Sequence, residues 1–398
     1  MINRLIGGIL LIVGTSIGGG MLALPVANAA TGFWVSTGFL FLCWAAMTTG
    51  AFLILEANLY LPTRTNMVSM AHATLGRTGE FVTWISYLCL LYTLLSAYIS
   101  GGADVFGSLF AKINFSLSPW QNSLLFTCIF GLIVYSGIRQ VDWVNRALMF
   151  GKLGAYLLLV ILIAPKVNLS YLYGGDYRYA AGTLMILITS FGFAIIVPSL
   201  RDYFNDNIPA LRKAIFIGSL IPLFCYIAWD AVIMGSLPNG GDTGLVSLLH
   251  SEHTTSDLAQ LLSVTLKQGF ISALFNFFIS ISMLTAFLGV SLCLISFLAD
   301  GLKIEQKGKT GLLLFILTFL PPLLVVIYFP GVYLQALSYA GVFCAILLLL
   351  LPAMMVLSGR KINIGEVRYR VPGGRITPWI VILFACATLV NALLNRLN

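Results

Sequence analysis

Runs of about 20 apolar residues recur along almost the whole chain, and an α-helix needs a run of that length to cross the hydrocarbon core of a bilayer. They occupy residues 5–30, 34–60, 79–110, 121–138, 147–165, 180–200, 213–236, 267–299, 310–329, 331–357 and 376–395. Only 9% of the 398 residues are charged, whereas a soluble domain has roughly 25% charged residues. The pattern predicts an all-α integral membrane protein with eleven transmembrane helices, the first of them retained rather than cleaved as a signal peptide.

Basic residues are distributed unevenly between the two sides of these spans. With a cytoplasmic N-terminus, 17 of the 22 Lys and Arg residues fall at cytoplasmic ends. The remaining five are Lys112, Lys166, Arg178, Lys267 and Arg396. This positive-inside pattern predicts a cytoplasmic N-terminus and a C-terminus on the other side. The net charge of +8 therefore reflects topology and gives no reason to expect a nucleic acid partner.

A short motif occurs twice at matching depth in the chain. Residues 15–25 read TSIGGGMLALP in the first span, and residues 189–198 read TSFGFAIIVP in the sixth. Five spans separate the copies, and because five is odd, the second copy enters the membrane from the opposite side. We predict an inverted repeat of residues 1–166 (helices 1–5) and 176–358 (helices 6–10), followed by a loop and helix 11 in residues 359–398.

Glycine and proline in both motifs predict broken helices, with non-helical backbone at about 14–20 and 189–193. The N-terminal end of a half-helix suits a carboxylate, and the C-terminal end exposes carbonyls that suit an ammonium group or a cation. A zwitterionic amino acid matches both ends. The alternative is that Gly14, Gly18, Gly19 and Gly20 only allow close helix packing.

Eight segments in order along the chain carry a family resemblance. They are GTSIGGGMLALP, YTLLSAYISGGADVF, QVDWVNRALMFGKLGAYLLLVILIAP, TSFGFAIIVPSL, FIGSLIPLFCYIAWD, TAFLGVSLCLISFLAD, FLPPL and YRVPGGR. From near residue 3 to near residue 390 the chain resembles the hydroxy and aromatic amino acid permeases of the amino acid-polyamine-organocation superfamily, above all the bacterial tyrosine permeases. One departure is Ala194, where those permeases carry histidine after TSFGF.

The resemblance implies a leucine transporter-type fold with a 5+5 inverted repeat and broken helices 1 and 6. It also implies proton-coupled import of an aromatic amino acid, tyrosine first, across the bacterial inner membrane, with a periplasmic C-terminus. Sodium coupling, a small neutral substrate such as serine, and a transporter-like amino acid sensor are the alternatives.

The predicted substrate site combines both motifs with rings beside them. Phe191 and Phe193 flank Gly192, and Tyr92 and Tyr98 lie on span 3, so that offset or edge-to-face contacts with an aromatic substrate are expected, with ordinary core packing as the alternative. The predicted substrate-binding residues are Thr15, Ser16, Gly18, Gly19, Gly20, Tyr98, Ser190, Phe191, Gly192 and Phe193.

Lys152 is the basic residue predicted to act in proton coupling. It follows Arg146 by six residues in span 5, so it either snorkels to the cytoplasmic interface or is buried, where its amine can gain and lose a proton. The resemblance favours burial, because other proton-coupled members of the superfamily place a span 5 lysine near a site between spans 1 and 8. Thr285 in TAFLGV is then a neighbouring hydroxyl.

The acidic residues at span ends, Glu56, Asp104 and Asp230, are expected at interfaces, with a structural hydrogen bond or an outer vestibule role favoured for Asp230. His250, Glu252 and His253 are expected in a solvated loop or surface helix rather than at a metal. The chain has no nucleotide-binding GxxxxGK[ST] motif, and it lacks a Ser-His-Asp pattern or paired acids. We therefore expect no enzyme activity and no cofactor. The predicted partners are an aromatic amino acid, a proton and the lipid bilayer, and the oligomeric state stays open.

Overall fold

The regular structure of the protein is entirely helical. The computed structural model describes residues 2–111, 114–115, 117–135, 138–240, 244–305, 308–362 and 368–397, without the side chains of 2–3, 138–147 and 396–397. These residues contain sixteen α-helices and no β-strand. The prediction of orientation counted 22 Lys and Arg residues. The described residues do not include Lys112 and Lys307, nor the side chains of Arg139, Arg146 and Arg396.

The first eight helices are α1 (Ile2–Ser16), α2 (Gly19–Asn28), α3 (Phe33–Asn58), α4 (Met67–Ala111), α5 (Pro119–Tyr135), α6 (Ile138–Ile163), α7 (Leu169–Leu172) and α8 (Ala180–Ser190). The other eight are α9 (Val197–Tyr203), α10 (Ile208–Ser236), α11 (Thr254–Leu266), α12 (Gly269–Leu302), α13 (Gly308–Tyr328), α14 (Tyr333–Cys344), α15 (Leu351–Ile362) and α16 (Ile376–Leu397). Short 3-10 helices occupy Ala164–Lys166, Tyr177–Tyr179, Gly192–Ile196 and Leu245–His250, and a π-helix occupies Ala345–Leu350.

Nine helical segments of the described chain are long and apolar enough to cross a membrane, and the bent pair α1 and α2 makes ten. The nine are Phe33–Asn58, Met67–Ala111, Leu148–Lys166, Tyr177–Tyr203, Ile208–Ser236, Gly269–Leu302, Gly308–Tyr328, Tyr333–Ile362 and Ile376–Asn395. The predicted fourth span corresponds to α5, which has 17 residues. The protein is thus a multi-pass membrane protein with nine or ten candidate spans, against the eleven predicted.

Contacts between chain-distant residues define one end of the bundle. A Cβ added to Gly7 would lie 2.2 Å from Tyr203 Oη, so α1 begins beside the end of α9. The Arg201 guanidinium donates to the carbonyl oxygen of Asn58 at 2.6 Å, which brings the end of α3 to the same place. We call this end the N-terminal face and the other end the opposite face.

Glu56, expected at an interface, lies near the N-terminal face and is fully buried within the protein. Its Oε1 accepts a 2.6 Å hydrogen bond from Arg360 Nε, and its Oε2 accepts bonds of 2.7 Å from Arg360 Nη2 and from the backbone N–H of Val371. A buried carboxylate needs such a partner with matched geometry, because desolvation otherwise outweighs the attraction. The pair joins α3 and α15 to the segment that precedes α16.

Candidate functional site

The first span is interrupted between α1 and α2. α1 ends at Ser16 and α2 begins at Gly19, and the two helix axes differ by 52°. Gly18 has an extended backbone, with φ −153° and ψ −150°. The break consists of Ile17 and Gly18, and it frees the last carbonyls of α1 and the first N–H groups of α2.

The predicted non-helical stretch at 14–20 is too long. Gly14 lies within α1 and Gly19 begins α2. A Cβ on Gly14 would lie 1.8 Å from Met149 Cε, and one on Gly19 would lie 2.5 Å from a ring carbon of Tyr98. At these two positions glycine permits close packing, which was the alternative reading of the motif, whereas Gly18 carries the break.

Side chains from three other helices hold the carbonyls around this break. Tyr226 Oη donates to the Ser16 oxygen at 2.7 Å, Lys152 Nζ donates to the Ile17 oxygen at 2.6 Å, and Tyr333 Oη donates to the Gly19 oxygen at 2.6 Å. A buried carbonyl without a donor is costly in a membrane interior, so these bonds stabilise the break. They also tie it to α6, α10 and α14.

The second motif interrupts the segment Tyr177–Tyr203 at a corresponding place. α8 ends at Ser190, and Phe191 leaves helical geometry with φ −99° and ψ 27°. The chain continues as the 3-10 helix Gly192–Ile196 before α9 begins. This interruption is milder than the first. After Phe191 the chain continues with 3-10 hydrogen bonds in place of α-helical ones, whereas Ile17 and Gly18 belong to no helix.

The Thr-Ser pairs that open the two motifs make the same local bonds. Thr15 and Ser16 donate to the carbonyls four residues earlier, at 2.7 and 3.0 Å. Thr189 and Ser190 do the same, both at 2.9 Å. The repeated letters therefore correspond to a repeated way of ending a half-helix, in which hydroxyls bond back to the last turn.

Tyr226 joins the two interruptions directly. Its hydroxyl oxygen lies 2.7 Å from the carbonyl oxygen of Ser16 and 2.7 Å from that of Ser190. These are the last residues of α1 and α8, so two helix C-terminal ends, each with a partial negative charge, meet at one hydroxyl proton. A Cβ added to Gly20 would lie 3.2 Å from Ser190 Oγ, which shows how closely the two segments approach.

A cavity of about 400 Å³ lies where the two interruptions face each other. That volume is within the usual 300–1,000 Å³ of small-molecule sites. Nine of the twelve residues predicted to bind substrate or carry the proton line it: Thr15, Ser16, Gly18, Gly20, Tyr98, Lys152, Ser190, Gly192 and Thr285. Its apolar walls come mainly from α4 and α12, through residues such as Leu90, Leu94, Ala286 and Val290.

Phe191, Phe193 and Gly19 do not line this cavity. Both phenylalanines are 0% exposed, and Phe191 packs edge-to-face on Tyr226 with ring centroids 5.1 Å apart. The two rings therefore lie in the core behind the second interruption, and the expected stacking of substrate on them needs correction. Tyr92 is likewise engaged elsewhere, because its hydroxyl donates to the carbonyl of Leu317 at 2.7 Å. The rings that line the cavity are those of Tyr87 and Tyr98.

Lys152 is 2% exposed and does not snorkel. Besides its bond to the Ile17 carbonyl, its Nζ lies 3.3 Å from Thr285 Oγ1, and Thr285 itself donates to the Ser282 carbonyl at 3.2 Å. No carboxylate of the described residues pairs with it. The amine thus faces the C-terminal end of α1 and one hydroxyl, at the edge of the cavity.

Access to the cavity is asymmetric in the described part of the chain. A second cavity of about 650 Å³ shares Tyr87, Ile195 and Ser199 with the first and reaches Arg64 and Asp202 at the N-terminal face. Toward the opposite face the packing is close. A Cβ on Gly101 there would lie 2.8 Å from Met283 Cε and 3.2 Å from the Tyr333 ring.

α11 is fastened over the opposite face by Asp104. The carboxylate accepts bonds from the backbone N–H groups of Thr255 and Ser256, at 3.1 and 2.9 Å, and from both their hydroxyls, at 2.5 and 2.7 Å. His253 Nδ1 lies 3.0 Å from the same carboxylate, and this hydrogen bond raises the pKa of His253 above its usual 6.5. A carboxylate at a helix N-terminus is a favourable arrangement.

Two functional side chains escaped the sequence reasoning, Tyr226 and Tyr333. Tyr226 precedes Asp230 by four residues in an otherwise apolar span, so the two polar groups share one helix face. That spacing was the available signal. Tyr333 follows Pro330 and Gly331 at the start of its helix, where nothing distinguishes it from an interfacial tyrosine.

Two chain interruptions line one cavity inside a multi-pass helical bundle, which is the arrangement expected of a membrane transporter. The chain belongs to the tryptophan/tyrosine permease family, whose model matches residues 1–392.

The relatives are named for more than one amino acid. The chain is 32% identical to the tyrosine-specific transport system 1 of Haemophilus influenzae, over 96% of this chain and 94% of that protein. It is 31% identical to the tryptophan-specific transport protein of the same organism, over 97% and 94%. It is also 31% identical to glutamine transporter 2 of Aliivibrio fischeri, over 98% and 99%.

Proposed function

We propose that the protein is a secondary active transporter that imports an aromatic amino acid, tyrosine first, by proton symport and alternating access across the bacterial inner membrane. The observation that carries the proposal is the cavity at the two interruptions, with the Lys152 amine bonded to the carbonyl freed at Ile17. The names of the tyrosine- and tryptophan-specific relatives support the substrate class.

The proposed architecture has eleven spans, with α5 as the fourth, and a leucine transporter-type 5+5 inverted repeat. Residues 1–166 and 176–358 form the repeats, and 359–398 add a loop and the last span. The matching Thr-Ser hydrogen bonds support the repeat. The N-terminal face is cytoplasmic in this proposal, because Arg64, Arg201 and Arg360 lie there. The C-terminus is then periplasmic, and the cavity is open to the cytoplasm.

An amino acid would bind by its charged groups at the interruptions. The carboxylate would lie at the N–H group of Gly20, which lines the cavity in the first turn of α2, where the helix dipole favours a negative charge. The C-terminal ends of α1 and α8, with their hydroxyls Thr15, Ser16 and Ser190, suit the ammonium group. Gly18 and Gly192 leave room for close approach, because neither carries a side chain.

The substrate ring would lie among Tyr87, Tyr98 and the apolar wall of α12. Gly289 lines that wall, and a Cβ built on it meets nothing within 4 Å. Phe191 and Phe193 then support the second interruption from the core side without touching the ring. Edge-to-face or offset contacts with the two tyrosines would add about 0.5–1.5 kcal/mol beyond burial.

Lys152 is the proposed proton-coupling group, with Thr285 as its neighbouring hydroxyl. A charged ammonium holds the C-terminal end of α1 more strongly than a neutral amine does, because it interacts with the helix dipole. Loss of the proton would weaken the bond to Ile17 and free the first span to move relative to α6 and α12. Proton release to the cytoplasm is thereby linked to the change of access.

Uptake into proteoliposomes, with pH and sodium gradients imposed separately, tests this proposal. We expect labelled tyrosine or tryptophan to accumulate when the outside is acidic, with or without sodium. Accumulation that requires a sodium gradient would overturn proton coupling. Binding without any uptake would instead indicate the sensor alternative.

A polar amide substrate is the second candidate, because one relative that aligns over nearly its whole length is named as a glutamine transporter. Competition by unlabelled tyrosine, tryptophan, glutamine and serine against the same uptake separates the candidates. Stronger competition by glutamine or serine than by either aromatic amino acid would overturn the aromatic assignment.

A further inference from the structure

Asp230 is a buried carboxyl group without a cationic partner in the described residues. It lies on α10, four residues after Tyr226, and is 0% exposed. Its Oδ2 accepts a 2.7 Å hydrogen bond from Asn28 Nδ2, while its Oδ1 and the Asn28 Oδ1 are buried with no partner among those residues. Asn28 is the last residue of α2 and is also 0% exposed.

One neutral hydrogen bond cannot compensate an ionised carboxylate at such a place. A carboxylate has about four acceptor sites, and burying its charge in a membrane interior is expensive. The contrast with Glu56 is informative, because that buried acid receives four hydrogen bonds, two of them from a guanidinium. An ionised Asp230 is therefore disfavoured in this conformation, because its charge is buried and receives one hydrogen bond from a neutral amide.

Among the described residues, no charged side chain is hydrogen-bonded to Asp230, whose partner is the Asn28 amide. On the same helix, Trp229 stacks on Phe275 of α12 with ring planes 9° apart and contacts Phe278 edge-on. On α6 the titratable neighbour of this cluster is Tyr156, whose hydroxyl donates to the Cys225 carbonyl at 3.0 Å.

Two acidic residues on other helices, Asp104 on α4 and Asp257 on α11, have other partners. Asp104 caps α11, and Asp257 accepts a 2.5 Å bond from Ser251. Neither is bonded to the Asn28–Asp230 pair. Burial, together with the lack of a cationic partner among the described residues, therefore favours the protonated form of Asp230.

The Asn28–Asp230 pair accommodates both protonation states with little movement. An ionised Asp230 accepts a bond from the Asn28 NH₂ group. Rotation of the Asn28 amide by 180° presents its carbonyl oxygen instead, to which a protonated Asp230 can donate at the same 2.7 Å separation.

We infer that Asp230 and Asn28 form a second proton-binding site, loaded from the outer side of the membrane. The inference rests on the proposed transport function. Asn28 ends the outer half of the broken span, so displacement of α2 when the outer side opens would admit water to Asp230 and make its ionised form tolerable. Closing the outer side buries the group again and requires that it take up a proton.

Infrared difference spectroscopy on the purified full-length protein tests the site without reference to transport. The absorption of a protonated carboxylic acid should be present at neutral pH, absent in Asp230→Asn and retained in Lys152→Ala. Asp176→Asn is the matched control, because it makes the same chemical change in an exposed loop. An acid absorption that persists unchanged in Asp230→Asn overturns the inference.

A second variant covers the case in which Asp230→Asn does not fold, and a transport measurement extends the test where it does fold. Asn28→Leu leaves Asp230 in place and removes its partner, so the acid absorption should shift in frequency. No shift would contradict the pairing. In proteoliposomes, substrate uptake by Asp230→Asn should depend less steeply on the external pH than uptake by the wild type, because closing of the outer side no longer requires a proton on residue 230, and an unchanged dependence would contradict proton loading from the outer side. If the acid absorption behaves as expected while no aromatic substrate is transported, the proposed function fails and the proton site stands.

Discussion

Lys152 Nζ lies 2.6 Å from the carbonyl oxygen of Ile17, the residue at which the first span leaves helical geometry. The amine belongs to α6 and the carbonyl to the α1–α2 break, so a single hydrogen bond joins two spans separated by 135 positions in the chain. Any change in the charge of the amine acts directly on the end of a half-helix.

Replacement of Lys152 should uncouple the transporter. Lys152→Ala removes the exchangeable proton, and Lys152→Arg keeps a charge that is not released in the working pH range. A pH difference of one unit can drive about tenfold accumulation with one proton, and both variants should fall to equal concentrations inside and outside. Labelled substrate accumulation in proteoliposomes measures this, with the exposed Lys213→Ala as control. If either variant concentrates substrate as the wild type does, Lys152 is not the coupling group.

Removal of the Tyr226 hydroxyl should loosen the connection between the two interruptions. Tyr226→Phe leaves the carbonyl of Ser16 or Ser190 without a donor, at a cost of about 1–3 kcal/mol. We expect a lower thermal stability and a substrate KM raised by about fivefold or more, since 1 kcal/mol is roughly that factor. Tyr156→Phe removes an equivalent hydroxyl that donates to one carbonyl away from the interruptions. Equal effects of the two variants on KM would contradict a positioning role for Tyr226.

Substitution by alanine should have different effects on stability at two glycines near the cavity. Gly19→Ala places a methyl group 2.5 Å from the buried Tyr98 ring, and overpacking of this kind costs about 1–3 kcal/mol. Gly289→Ala adds its methyl group to open space at the cavity wall. The melting temperature should fall for Gly19→Ala and stay near the wild type for Gly289→Ala, which should instead weaken tryptophan binding more than serine binding. A stable Gly19→Ala protein would show that Tyr98 can move aside.

The attachment of α11 should weaken as the pH rises. The folded-state pKa of His253 is raised by its hydrogen bond to Asp104. Its stabilising contribution is therefore fully present below the unfolded value of about 6.5 and is lost as the pH rises through the higher folded value. Because the side chain is 53% exposed, solvent screening keeps the effect small.

Amide hydrogen exchange at Thr255 and Ser256, corrected for the intrinsic pH dependence, measures this attachment. Protection should be greater at pH 6 than at pH 8, and His253→Gln should remove the difference. Asp104→Asn should reduce protection at both values, because the neutral amide no longer complements the helix N-terminus. Protection that is independent of pH in the wild type would refute a contribution from His253.

The sequence predicted the helical membrane class and the location of both interruptions from local information. Apolar run length and a repeated Thr-Ser-apolar-Gly motif are properties of neighbouring residues. They predicted non-helical backbone at about 14–20 and 189–193, whereas the structure keeps Ser16 and Ser190 as the last residues of α1 and α8. The same information overestimated the first break, because glycine suits both an unwound backbone and a close contact. At Gly14 and Gly19 these two roles can be distinguished only from the positions of Met149 and Tyr98 in the folded protein.

The directions of the side chains at the second motif could not be predicted from the sequence for a similar reason. Phe191 and Phe193 flank Gly192 in the sequence, but 3-10 geometry and the Tyr226 ring determine which side of the segment they occupy. Likewise, the burial of Glu56 depends on Arg360, 304 residues away. A charge near the end of an apolar run gives no indication of a distant partner.

Three donors on three helices hold carbonyls within a stretch of four residues of the first span. Deletion or insertion of one residue there would rotate α2 by about 100° relative to α1, since a helix has 3.6 residues per turn. The bond of Tyr333 to the Gly19 carbonyl, on the α2 side, could then not form together with the bonds of Tyr226 and Lys152 on the α1 side. Distant parts of the chain therefore fix the number of residues between α1 and α2. Related sequences can change the identity of these residues far more readily than their number.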